Sequence, residues 1–220
     1  MNGNRLFALG VVLAALFSLC ACEEEITDPG DTNPPGDETF GQWAENFAKE
    51  YADRDSSGYA AYLDPAYIFE LLEDEVDPDV PSSGWWDRTE ELEIAGTMFK
   101  GRYNNDGIKV TDIDLALQLK ATPVVDNDSY QDKPEGETWY LATTFVDLVV
   151  RTANPTASDG SGIVNYIVNS EQIFVLRRDP AGSGRYLVRK QTDRPPINKV
   201  GAEAGGVEET NWGAVKNIFR

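Results

Sequence analysis

Between Phe40 and Arg54 the apolar residues fall on one helical face. Trp43, Phe47 and Tyr51 recur every fourth position with Phe40, Ala44 and Ala48 beside them, while Glu45, Lys49 and Glu50 stand opposite. The spacing predicts an amphipathic helix over Thr39–Arg54 whose aromatic side meets a core. Thr39 followed by Gln42 has the form of a capping box, in which each side chain satisfies an orphan backbone donor at the helix start. Asp53 to Gly58 breaks the pattern, and Tyr59, Tyr62 and Leu63 resume it until Asp64-Pro65 closes a second helix. Tyr67 to Leu72 then reads as a strand.

Glu73 to Pro81 is acidic and proline-punctuated and is expected to be a loop. Asp87 makes an N-cap with Glu90 at the third helical position, and Leu92, Ala95, Met98 and Phe99 supply a short apolar face. Trp85 and Trp86 stand just ahead, as a hydrophobic staple or core plug, or as a wall facing a ligand. Ile108 and Val110 alternate in one phase, and Ile113, Leu115, Leu117 and Leu119 in the other; a bulge near Thr111-Asp112 accounts for the slip. Trp139 to Val150 is apolar on both faces, as a central strand would be, with Asp147 its exception. Ile163 to Arg178 and Arg185 to Asp193 alternate around a turn at Asp179–Gly184, which predicts a closing hairpin. Finally Trp212, Val215, Ile218 and Phe219 have helical spacing within Thr210–Arg220. A helix this short needs tertiary support, and the sheet face left open by the N-terminal helices is its expected berth.

The helix–helix–strand order of 39–72, then Trp85 to Leu92 with Met98-Phe99, then four strand-like runs, resembles the nuclear-transport-factor-2-like superfamily, which includes SnoaL-like proteins and ketosteroid isomerase. The resemblance spans about Phe40 to Asp193. It implies an α+β fold: a curved, mostly antiparallel sheet covered by N-terminal helices, forming a cone with a pocket at its wide end. It also implies a homodimer through the convex face. Ketosteroid isomerase uses an Asp base and an oxyanion hole made of a Tyr and a protonated Asp. On that pattern Tyr51 or Tyr67 would supply a phenol, Glu70 or Asp147 a buried carboxylate, Tyr140 and Tyr166 further polarity, and Trp85 and Trp86 a wall. No motif aligns residue by residue, so no catalytic role is carried over. Packing, or for Asp147 a solvent-facing position or an ion pair with Arg178, is the plainer reading of each.

At the N-terminus Arg5 precedes an apolar run, Leu6 to Leu19, that is short for a membrane span. Leu19-Cys20-Ala21-Cys22 follows and resembles a bacterial lipobox, with Cys22 as the lipidated residue. The expected organisation is a signal peptide over 1–21, a lipidated acidic tether over 22–38, a cone domain over 39–194, a flexible linker over 195–209 and a C-terminal helix over 210–220. Behaving as coil, the tether would reach about 20–25 Å. The predicted place is the bacterial cell envelope, anchored to a membrane on its periplasmic or outer side.

The formal charge of −19 repels anionic lipid and nucleic acid alike, so nucleic acid is excluded as a partner and a lipid anchor supplies the membrane contact that the surface would not. Histidine is absent, which excludes Ser-His-Asp and Cys-His catalysis and histidine-ligated metal; any acid–base group would be Asp, Glu, Tyr or Lys. No cofactor is expected. Asp53, Asp55, Ser57, Gly58 and Asp64 match five positions of an EF-hand loop, but Ala60 and a terminal Asp depart from it, and an acidic helix–helix turn is the plainer reading. Three functional expectations follow, the third being calcium binding at 53–64. The first is a non-catalytic cone that binds a small apolar ligand or a protein partner. The second is a SnoaL-like isomerase, cyclase or hydrolase using a buried carboxylate and a tyrosine.

Overall fold

A computed structural model describes residues 36–71, 84–128, 130–157, 160–195 and 207–220. The expected signal peptide, Cys22, nearly all of the tether and the acidic loop after Leu72 lie outside the described residues.

The first helix, α1 (Phe40–Ala52), buries Phe40, Trp43, Ala44, Phe47, Ala48 and Tyr51, the face its spacing predicts. Its capping box forms: Gln42 N–H donates to the Thr39 hydroxyl and Thr39 N–H to the Gln42 side chain. Such a cap is worth about 1 kcal/mol. After a turn in which Arg54 takes φ +58°, Asp55 caps α2 (Ser56–Tyr62) by accepting from Ser57 and Gly58 N–H. The strand β1 (Leu63–Glu70) begins four residues earlier than expected, with Pro65 inside it. The ladder to β7 (Tyr186–Thr192) skips between Leu63 and Ile68, so Pro65 sits in an irregular stretch where its missing N–H costs no rung.

β2 (Trp85–Asp87) is a short strand with no signal in the alternation, and it leads into α3 (Arg88–Phe99), capped by Asp87. The buried face of α3 is Glu91, Ile94, Ala95, Met98 and Phe99, with Leu92 only half-buried. β3 (Lys109–Leu119) pairs with β5 through a register shift between Val110 and Asp112, the bulge that the phase slip predicts. The small β4 (Val124–Val125) also pairs with β5. β5 (Trp139–Ala153) and β6 (Ile163–Arg178) pair along their whole length, and β7 (Tyr186–Thr192) closes the hairpin.

The main path of the sheet is β2-β1-β7-β6-β5-β3. Its bulges and twist bend it, and its ends do not meet. Among the described residues every rung is antiparallel except β1 with β7 and β6 with β8 (Val207–Thr210). This is the α+β architecture expected: a curved, unclosed, mostly antiparallel sheet with N-terminal helices on its inner face.

Two boundaries and one packing site differ from expectation. Glu38, assigned to the tether, is buried: Tyr186 N–H and the Tyr62 hydroxyl both donate to its carboxylate at 2.9 Å. Residues 207–209, assigned to the linker, form β8 (Val207–Thr210), which runs parallel to β6 along the part of its edge that β7 does not reach. The last helix, α4 (Trp212–Ile218), does not berth on the open sheet face. It packs among the N-terminal helices: the Trp212 ring lies 5.4 Å from Tyr51, and Trp212, Val215 and Phe219 join the main core.

Candidate functional site

The side of the sheet that the helices cover is filled by rings. Trp43 meets Phe174 edge-on at 5.2 Å, Phe47 lies 5.4 Å from Tyr59, and Phe69 stacks on Trp86 at 4.5 Å and 4°. Inside this apolar mass lies a polar cluster. Glu91, on the buried face of α3, is fully buried, and its two oxygens accept from the Tyr59 hydroxyl at 2.6 Å and Trp86 Nε1 at 2.8 Å. Lys216 of α4, also fully buried, brings Nζ to 2.9 Å from each oxygen. The same ammonium stands 4.2 Å from the Phe69 ring centroid and 5.0 Å from that of Trp212.

A second polar string runs along the strands. The Tyr67 hydroxyl donates to Gln191 at 3.1 Å, Gln191 Nε2 to Gln172 at 3.3 Å, and Gln172 Nε2 to Asp193. Asp193 accepts the N–H of Gly213 at 2.7 Å and so ties the start of α4 to the end of β7. A Cβ at Gly213 would lie 2.2 Å from Leu71 Cδ2 and 3.0 Å from an Asp193 carboxylate oxygen, so any larger residue there has to push the Leu71 side chain aside.

Burial governs the titration of these groups. It pushes the Tyr59 and Tyr67 phenols well above their ordinary value, with the Glu91 charge adding to the shift, and raises Tyr51 likewise. Burial raises the Asp193 carboxyl, although the Gly213 N–H and the Gln172 amide work against it. Burial lowers Lys216, and its attraction to Glu91 resists.

The pocket candidates disperse. Tyr51, Tyr67, Trp86 and Tyr166 are buried on the helix-covered side: the Tyr51 hydroxyl points to Met98 Sδ at 3.7 Å, and Trp86 plugs the core. Trp85 is exposed. Tyr140 is half-buried, edge-on to Phe40 at 5.0 Å. Glu70 is not a buried carboxylate: it pairs with Lys190 at 2.7 Å and accepts from Thr192 at 3.1 Å. Asp147 stands exposed on the outer face, away from any of the named phenols, and Arg178 donates instead to the Glu38 and Gly184 carbonyls. In the EF-hand-like stretch Asp53 pairs with Lys49, Asp55 caps α2, and Asp64 pairs with Arg177; Ser57 gives its N–H to Asp55. The oxygens are committed to separate partners rather than converging. Among the described residues no acidic or sulfur cluster has the geometry of a metal site.

Glu91, Lys216, Asp193, Gln172 and Gln191 are the site residues that sequence reasoning missed. A signal existed for two of them. Glu91 precedes Ala95 and Met98 by four and seven residues, and Lys216 follows Trp212 by four, so each charge stands within an apolar helical stripe.

Surface hollows lie elsewhere. One of about 500 Å³ is lined by Glu38, Gln42, Asn46, Glu50, Tyr62 and Arg185, and another of about 640 Å³ by Lys120, Glu171, Ile173 and Arg194.

No protein-family model matches this chain, and no curated protein matches its sequence. Solved structures do show likeness. A nuclear-transport-factor-2-like superfamily protein from Salmonella enterica is 13% identical with a TM-score of 0.39, covering 73% of this chain and 90% of its own. A ketosteroid isomerase-like protein from Erwinia carotovora is 13% identical with a TM-score of 0.41, covering 69% and 89%. A conserved protein from Planctomyces limnophilus is 11% identical with a TM-score of 0.42, covering 67% and 86%.

Proposed function

We propose that this chain is an exported protein, lipid-anchored through Cys22 in the bacterial cell envelope, whose cone domain is non-catalytic and serves a protein partner through its surface. One observation carries the reading: α4 fills the interior, with Trp212 and Lys216 both fully buried and Lys216 seated on Glu91. A small apolar ligand would have to displace an indole and strip a buried carboxylate of its counter-ion. The lipobox-like Leu19-Cys20-Ala21-Cys22 and the acidic stretch after it support the anchor.

A second reading, the isomerase-like enzyme, draws on the carboxylate–phenol pair of Glu91 and Tyr59. It requires α4 to leave, because the ammonium, phenol and indole already occupy both carboxylate oxygens.

Native mass spectrometry of the full chain from its own host tests both readings. The proposal predicts a mass increase at Cys22 matching a lipid, abolished by Cys22→Ser, and no stoichiometric apolar molecule lost on denaturation. A bound apolar molecule released on unfolding would contradict the partner-binding reading and support the enzyme.

A further inference from the structure

The lysine of α4 occupies a receptor that the rest of the chain builds. Nζ meets both oxygens of Glu91 at 2.9 Å, the face of Phe69 at 4.2 Å and, within α4 itself, the Trp212 ring at 5.0 Å; Trp86 stacks on Phe69, and Trp86 Nε1 and the Tyr59 hydroxyl both donate to the carboxylate. A carboxylate fixed by two neutral donors, beside a stacked aromatic wall, is the chemistry that binds an alkylammonium by charge and by cation–π attraction. None of Glu91, Phe69, Trp86 and Tyr59 belongs to α4; they come from α3, β1, β2 and α2.

Two buried acids act on the one buried ammonium: Glu91 and Asp193 both favour its charged form, while burial outweighs them and lowers its pKa. The occupant is also short: α4 has seven residues and follows β8, which pairs with β6. A helix of that length has no independent stability, so its residence depends on the contacts it makes in the site.

We propose that the interior of the cone is an alkylammonium-binding site that Lys216 fills in cis, and that it accepts a primary amine in trans, either a free di- or polyamine or a lysine side chain of another polypeptide. This goes beyond the partner-binding reading and stands on the Glu91 cluster alone.

The first test uses the full chain carrying Lys216→Ala. n-Propylammonium chloride is titrated against sodium chloride and 1-propanol at matched concentration, and the melting temperature is read. A saturable rise with the amine only, absent from the Glu91→Gln, Lys216→Ala double variant, is expected, because a ligand that binds only the native state stabilises it by mass action. An amine effect no larger than that of salt, or equal in the double variant, overturns the proposal. Should Lys216→Ala not fold unaided, refolding yield becomes the readout: amine-dependent recovery supports the site, and equal yields in amine and in salt overturn it.

The second test uses the unsubstituted chain and reads amide exchange over 214–219 with excess cadaverine or with a synthetic peptide of residues 210–220. Faster exchange with cadaverine assigns the site to small amines. Faster exchange with the peptide alone assigns it to a lysine-bearing segment. No change with either overturns binding in trans.

Discussion

The two faces of the same sheet hold their charges differently. On the outer face Arg151 reaches Asp112 and Asp114, and Lys120 reaches Glu171, with side chains between a third and three-quarters exposed. On the inner face Lys216 and Glu91 meet with no exposure at all. Exposed pairs are screened and contribute about 0–1 kcal/mol. A buried pair gains little over an apolar core of the same shape, yet losing one partner strands the other charge without water. An ion pair kept in the core is therefore a constraint on which surfaces meet. Here it fixes α4 against α3 and closes the inner face.

The largest contrast should come from deleting the two cations. Lys216→Ala is expected to cost about 3–5 kcal/mol by denaturant unfolding, whereas Arg151→Ala on the outer face should cost under about 1 kcal/mol. Comparable losses would erase the distinction between the faces. Next comes Gly213→Ala, whose added methyl meets Leu71. It should cost about 1–3 kcal/mol as an overpacking change, and an unchanged denaturation midpoint would show that α4 does not need this close approach.

Reading these features from the sequence succeeded where periodicity alone decides. The α1 face, the Thr39–Gln42 cap, the Asp87 cap and the β3 bulge all follow from local spacing, and the structure has each of them. The β6–β7 hairpin followed from its turn residues. Failures came where long-range contact overrides local signal. Trp85–Asp87 becomes a strand only because β1 lies beside it, and 207–210 only because β6 offers a free edge. The candidate site was less legible. The resemblance to ketosteroid isomerase singles out Glu70 or Asp147 as a buried carboxylate, but strand alternation turns Asp147 outward, and Lys190 pairs with Glu70. Glu91 and Lys216 are separated by 125 positions, and neither helix reveals the other.

A smaller effect is expected in alkali. Burial lowers the Lys216 pKa below its unfolded value of 10.5, so across that window the unfolded chain binds the extra proton. The Lys216 contribution to stability therefore rises with pH towards 10.5 and is lost as pH falls through the folded value, while the buried phenols act in the opposite sense above their ordinary value of 10.0. Lys216→Met should flatten the rise in denaturant midpoint over the alkaline range below tyrosine titration; an unchanged slope would show that another group carries it. Smallest of all, Asp147→Asn on the outer face should stay within about 0.5 kcal/mol of the parent. A larger change would mean that this exposed acid has a role the sheet geometry does not show.

The most direct test of the closed interior is native-state amide exchange on the full chain, comparing 214–219 with the β5 centre at 146–150. If α4 is a packed part of the core, its amides should be protected far beyond what an isolated seven-residue helix could give, within reach of the β5 values. Exchange in α4 at the rate of an unstructured peptide, with β5 still protected, would contradict a cone closed by its own C-terminal helix.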